Sequence, residues 1–534
     1  MDAQSLPTEP PPPTPVITDW ESTRGLDLLG LRAPAERIAV EVLNGVTTVS
    51  PLTRYLGFRS WIIQRYVSLE GPDDRKAFYR FAGKCEAALV VGHKIRGDTT
   101  GGLVGSRTAA ELARQDGAIS IRRLTQILAI DLYAGPSVDL GIGIARTPVP
   151  ALSTERGQPL AVEVGRILNE QPALGRIDVD SEQQEVDAHE AEQLAAMFDL
   201  RAPAGHEREI LIDAVAPSSP QPGELARLAA YAYLLRLVVA APDDRLDGDA
   251  VFRAAIADDM STPPGLHSAA DGWLRFLIRD LLVAIHERAA SAAISMLNEA
   301  PNQTASPDQI ASQMAALDLA GPLEAVGLPG ITSETPIGRL VDAVSEAIGG
   351  QRHRAGLCRW DGPLDELQML AAMQEHPGPE AVALLPVAWL LAYNRAHEGL
   401  ADPGHSLDAW SGAHIARIGI GDVIAPAVSS WQGSGKTVGE VVGDLVRRSV
   451  EQHLSIAWHR LQIDPTRNVS AIESDGAAWT SVGWLFASRA TSRIYQAINW
   501  LKQLDLIGEE GVTADGQEIL NRSLATLAMR EATP

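Results

Sequence analysis

The chain has 534 residues, with 45 Lys and Arg against 68 Asp and Glu, a formal net charge of −23 and an aromatic content of 5%. That length supports several domains rather than one small core, and so acidic a balance argues against blanket adhesion to nucleic acid or to an anionic membrane. Many Ala and Leu with few aromatics suit helices better than a sandwich or barrel.

Only Cys85 and Cys358 occur, so neither a disulfide framework nor a cysteine zinc site is expected. No apolar run reaches the roughly 18 residues of a membrane span, and the start lacks the basic and apolar regions of a secretory signal. The expectation is a cytoplasmic protein without cofactor, metal or membrane. Residues 1–17 are rich in proline and read as a disordered tail.

Helices are predicted from Ala33 to Leu43, Pro51 to Leu69 and Asp73 to Gly92. In the second, Ser50 is placed to cap the N-terminus and Pro51 to take the first helical position. Leu52, Tyr55, Leu56, Ile62, Ile63, Tyr66 and Val67 form its inward stripe, leaving Arg54, Arg59 and Arg65 available for binding. A glycine-rich break, GDTTGGLVGS, leads to helices expected around Arg107 to Arg114 and Ser120 to Tyr133. Between Ser50 and Gln126 thirteen Lys and Arg outnumber seven Asp and Glu, so the basic excess is regional.

The segments LSTERGQPL, from Leu152, and VTADGQEIL, from Val512, share T-x-x-G-Q-x-[L/I]. Each follows an expected helix and an apolar bend: Val138, Leu140 and Ile142 before the first, and Leu504, Leu506 and Ile507 before the second. That order suits the end of a winged helix, where a recognition-type helix runs into a hairpin. The competing reading is a coincidence of common turn residues. Between these segments lies a succession of helices punctuated by Pro and Gly, including Gly223 to Ala240, Ser268 to Glu299, Pro336 to Ile348, Leu364 to Gln374 and Glu380 to His397.

The expected fold is therefore mainly α, a multi-helical scaffold with one or two winged-helix-like units. Its divisions are a tail at 1–17, a helical region at 18–170 ending in a winged-helix-like unit, a helical middle at 171–475, and a second such unit at 476–534.

GSGKT, Gly433 to Thr437, has the tail of a phosphate-binding loop, but Ser430 stands where the full pattern needs glycine. The Pro426 segment before it also makes a poor strand. It reads better as the start of a helix from Val438 to Leu461, with an NTP-binding enzyme using Lys436 and Thr437 as the alternative. DDRLDGDAVFRA, from Asp243, resembles a calcium loop, but Arg245 and Ala254 replace oxygen ligands, so a helix cap is expected. The candidate nucleic-acid-binding residues are Arg107, Arg114, Arg122 and Arg123 before the first wing, and Arg489, Arg493 and Lys502 before the second. Arginine binds phosphates and reads guanine edges. The partners expected are a protein and, through these residues, DNA.

Gly45, Val46 and Thr47, followed by Arg54, Tyr55, Phe58 and Trp61, compose a G-V-T…R-Y-x-x-F-x-x-W signature. In these residues the first third of the chain resembles a group of uncharacterised bacterial proteins often encoded beside phage-defence or DNA-modification genes. The resemblance implies a setting and carries over no catalytic residue.

Overall fold

The computed structural model describes residues 27–98, 101–114, 117–122, 124, 129–180, 185–241, 246–257, 262–354, 357–396, 418–463 and 470–531. The proline-rich tail and Arg123 lie outside them, as do Asp243 and Arg245. The expected multi-helical scaffold is present, with twenty-two α-helices among the described residues. Strands there are only two to four residues long and pair antiparallel, in four two-stranded ladders and one three-stranded sheet. No described helix is long and apolar enough to cross a membrane.

The chain divides into two compact units. One, the hairpin unit, comprises Ala39–Val251, Met260–Ala270 and Ser492–Pro534; the other, the long-helix unit, comprises Met1–Ile38, Phe252–Asp259 and Asp271–Thr491.

In the hairpin unit the helix Arg54–Ser68 packs on the helix Gly157–Leu168. A Cβ on Gly57 would stand 2.9 Å from Val164, so the small residue permits the close approach. The helix Arg75–Ile95 lies as tightly on Ala188–Met197, where a Cβ on Gly92 would fall 1.9 Å from the Ala191 carbonyl oxygen.

Two expectations at the Arg54 helix need correction. It begins at Arg54, not at Pro51, because tertiary partners occupy the groups a local cap would use. The Tyr133 hydroxyl donates to the Leu52 carbonyl at 2.6 Å and to that of Ser50 at 3.2 Å, and Gln503 Oε1 accepts the Thr53 N–H at 3.0 Å. The arginines are also not free. Arg54 is 4% exposed and forms a forked pair with Glu207 at 2.8–3.0 Å, donates to the Asp199 carbonyl and lies over the Phe198 ring. Arg59 donates to the Ile130 carbonyl and the Ser137 hydroxyl, and burial lowers its pKa to about 10. Arg65 is half-buried, and Val67, expected on the inward stripe, faces outward near the end of the helix at 62% exposure.

In the long-helix unit the helix His267–Glu299, from Asp271 onward, is buried around most of its circumference, the mark of a central element. Three of its interior polar groups, Asp280, His286 and Glu287, are matched. Glu287 accepts from Arg32 at 2.7 Å and from the Ser488 N–H at 2.9 Å, while Asp280 accepts from Arg489 at 2.7 Å and from the Ala490 N–H at 2.6 Å. His286 accepts from the Trp389 indole at 2.9 Å and bonds the Ser449 hydroxyl through Nδ1 at 2.8 Å. His453 accepts the Ala471 N–H at 2.9 Å, leaving Nδ1–H for the Leu28 carbonyl at 3.1 Å.

Burial lowers the pKa of His286 to about 3 and that of His453 to about 4. Each imidazole is thus neutral when folded and protonates near pH 6.5 when unfolded. Its contribution to stability is complete above that value and is lost as pH falls toward the folded value. Urea unfolding of the wild type beside His453→Gln should show the wild-type advantage shrinking by up to about 1.4 kcal/mol per pH unit between pH 6.5 and 4.5. A pH-independent difference would mean that His453 is not held neutral.

Candidate functional site

The T-x-x-G-Q segments lie in two modules of one design, both in the hairpin unit. In the first, the helix Ala134–Asp139 ends at Leu140, Gly141 turns left-handed (φ +65°), and Gly143–Ile144 pairs with Ala151–Leu152 before the helix Gly157–Leu168. In the second, Ile494–Gln503 ends at Leu504, Asp505 turns left-handed (φ +52°), and Ile507–Gly508 pairs with Gly511–Val512 before the helix Ala514–Glu531.

The shared local chemistry explains the motif. Ser153 and Thr513 donate their N–H groups to the carbonyls of Ile142 (3.0 Å) and Leu506 (3.2 Å). Their hydroxyls donate to the left-handed residues, Gly141 at 2.6 Å and Asp505 at 2.7 Å. The same hydroxyls accept the N–H of Gly157 at 3.0 Å and of Gly516 at 3.1 Å, capping the following helix. A Cβ on either glycine would stand 2.1 Å from the Ile142 or Leu506 oxygen, which is why glycine recurs. The first copy uses Ser153 rather than the motif's Thr154, since its cap lies four residues before the glycine instead of three.

A second correspondence had no signal in the sequence. The carbonyl ending the first helix of each module accepts from a guanidinium: Leu140 from Arg156 at 2.9 Å, and Leu504 from Arg208 at 2.8 Å. Arg156 is held by Asp213 and Glu224, and Arg208 by Asp515. Arg208 and Asp213 share the helix Gly205–Val215, so one helix serves both modules.

The expected binding residues divide sharply. Arg107 is exposed in the first turn of the helix Ser106–Leu112, and Arg114 is exposed just beyond its end. Arg122 is also exposed, but not on the expected helix from Ser120 to Tyr133. Ala118–Ser120 instead pairs as a strand with Glu185–Asp187, and only Ala129–Leu132 is helical among the described residues. The partner strand lies over sixty residues away and takes Ser120, the first residue of the expected helix; residues 123 and 125–128 of that expectation lie outside the described residues.

In the second set, Arg489 is bound to buried Asp280, and the Arg493 guanidinium donates to the Val46 carbonyl. Lys502 remains exposed beside Tyr495, which is 65% exposed, and Asn499. Trp500 is fully buried. The hairpin tips differ in charge: exposed Arg146 lies in the first, and exposed Glu509 and Glu510 form the second.

The GSGKT segment follows the helix Ala425–Trp431 rather than a strand. Thr437 and Glu440 cap one another's N–H groups at 3.2 and 2.8 Å, and Lys436 pairs with Asp444 at 2.6 Å. The groups a phosphate loop would present thus start the helix Val438–Ile463. Asp247 caps the helix Gly248–Ala257 through the Ala250 N–H, as expected of that acidic turn.

Comparison with protein-family models, curated proteins and solved structures finds no match for the chain.

Gly157→Ala and Gly516→Ala should each destabilise the hairpin unit by about 2–3 kcal/mol, because the added methyl meets a fixed carbonyl. Gly433→Ala, with open space around it, should be neutral. Calorimetric melting checks this; equal Tm values for all three variants would contradict the cap geometry.

Proposed function

We propose that the chain is a non-enzymatic binding subunit of a bacterial multiprotein system, set in anti-phage defence by its N-terminal resemblance, and that it contacts a protein partner. In this reading the two modules are winged-helix-like units, and the second is the contact. The observation that carries it is the character of the surface left there once Arg493 is engaged. Tyr495, Asn499 and Lys502 remain on the helix, with Asp505, Glu509 and Glu510 beside them. Carboxylates at a wing tip repel phosphate, whereas an exposed aromatic beside charge suits a protein interface.

A second reading, duplex DNA, is favoured at another place by the exposure of Arg107, Arg114 and Arg122. The NTP-binding alternative at Lys436 and Thr437 loses support from the helix that precedes the loop and from the helix-capping role of Thr437.

A photo-crosslinking side chain at position 495, in the intact bacterium, should give one discrete protein adduct that disappears with Glu509→Lys/Glu510→Lys. An adduct indifferent to those charges, or none, would contradict the reading. Labelled duplex DNA titrated over a salt series separates the second: binding weakened by Arg107→Ala/Arg114→Ala/Arg122→Ala favours it.

A further inference from the structure

Two large aromatics stand in solvent on one short stretch of the long-helix unit. After the strand Trp479–Ser481, the chain runs from Trp484 to Thr491 without a turn or bend. Leu485 is 4% exposed, whereas Trp484 and Phe486 on either side of it are 59% and 56% exposed. That alternation is the period of an extended backbone, which places the indole and the phenyl ring on the same outer face. Among the described residues only Tyr495 is a large aromatic of comparable exposure.

The stretch is fixed at both ends. The Val482 and Gly483 N–H groups donate to the Ala471 carbonyl at 3.0 and 3.1 Å, and those of Ser488 and Ala490 donate to Glu287 at 2.9 Å and to Asp280 at 2.6 Å. The backbone so held keeps both rings outward. Neighbouring aromatic faces on a fixed backbone suit a polyproline II segment, whose pyrrolidine rings stack on them and whose prolines lack the N–H groups that strand pairing needs.

The chain contains such a segment: Pro7, Pro10, Pro11, Pro12, Pro13 and Pro15. It is also tethered beside the aromatics. Asp27, the first described residue, accepts the Arg32 N–H at 3.1 Å and, through its carbonyl, a bond from Arg460, while the Arg32 guanidinium donates to the Ser488 hydroxyl. Asp27 is thus joined to Ser488 through a single arginine, and Phe486 lies two residues before Ser488. The roughly dozen residues from Pro15 to Asp27 extend up to about 40 Å, and a ligand on so short a tether has an effective concentration of about millimolar.

We infer that Trp484 and Phe486 form a polyproline-reading platform, and that residues 7–15 of the same chain are its occupant and cover it. Any other proline-rich segment must compete with that tethered one. The platform and the tether belong to the long-helix unit, so the inference stands apart from the protein-partner reading at Tyr495.

Hydroxyl-radical footprinting of the full chain, read by mass spectrometry at single residues, tests the cover. Pro10→Gly/Pro11→Gly/Pro12→Gly/Pro13→Gly should raise oxidation of Trp484 and Phe486 about fivefold over wild type, because an occupant at millimolar effective concentration is then removed. Tyr495 should be unchanged. Equal oxidation in the two proteins would overturn the inference, and protection that weakens on dilution would overturn it in favour of a second copy's tail. A labelled peptide with the sequence of residues 7–16 should bind the proline variant about fivefold more tightly than wild type, where the tether competes. That binding should be lost when Trp484→Ala/Phe486→Ala is added, a change at exposed side chains that should leave Tm unaltered. No binding to the proline variant, or binding indifferent to the two aromatics, would overturn the platform.

Discussion

A guanidinium taken out of water must find a carboxylate or several carbonyls, and the fold depends on meeting that demand repeatedly. Arg54, Arg227, Arg359 and Arg395 are all under 5% exposed, and each is paired: with Glu207, Glu224, Asp271 and Glu366 respectively. Leaving one member of such a pair unmatched costs about 3–5 kcal/mol, so Arg54–Glu207 and Arg395–Glu366 specify which helices meet as well as stabilising their contact. Arg395 illustrates the completeness required: it forks onto Glu366 with two 2.7 Å bonds, donates to the Cys358 carbonyl and stacks over Trp360.

The same demand shapes the surface. Arg156 and Arg208 terminate the leading helices of the two modules, and Arg493 fastens the segment before the Arg54 helix. These three cations are engaged with carbonyls, and Arg156 and Arg208 with carboxylates as well. What remains around the second hairpin is mostly acidic, with one exposed tyrosine and one lysine. This is the surface at which we propose a protein partner.

Much of the scaffold was legible because helix signals are local. Apolar spacing and Pro or Gly punctuation located the helices Leu225–Ala240, His267–Glu299, Ile337–Ala347 and Val438–Ile463 to within a few residues. The T-x-x-G-Q pair was legible too, since the glycine and hydroxyl serve one cap only a few residues long. Ser50 misled because Gln503 takes the Thr53 N–H that its side chain would cap and Tyr133 takes its carbonyl. The expected helix start at Ser120 misled because Ala118–Ser120 pairs with Glu185–Asp187. The fates of the arginines were hidden for the same reason: Arg54 finds Glu207 153 residues away, and Arg489 finds Asp280 209 residues away. No local spacing distinguishes such an arginine from one that faces solvent.

The central claim, that arginines resembling ligand contacts are structural fasteners, is tested most directly at Arg489 and Asp280. A double-mutant cycle with Arg489→Met and Asp280→Asn, followed by urea unfolding, isolates their interaction. With Asp280 fully buried, Arg489→Met alone should cost about 2 kcal/mol or more, and the pair should couple by at least about 1 kcal/mol. Additive single effects near zero would mean that Arg489 is available to a ligand, and would contradict the account.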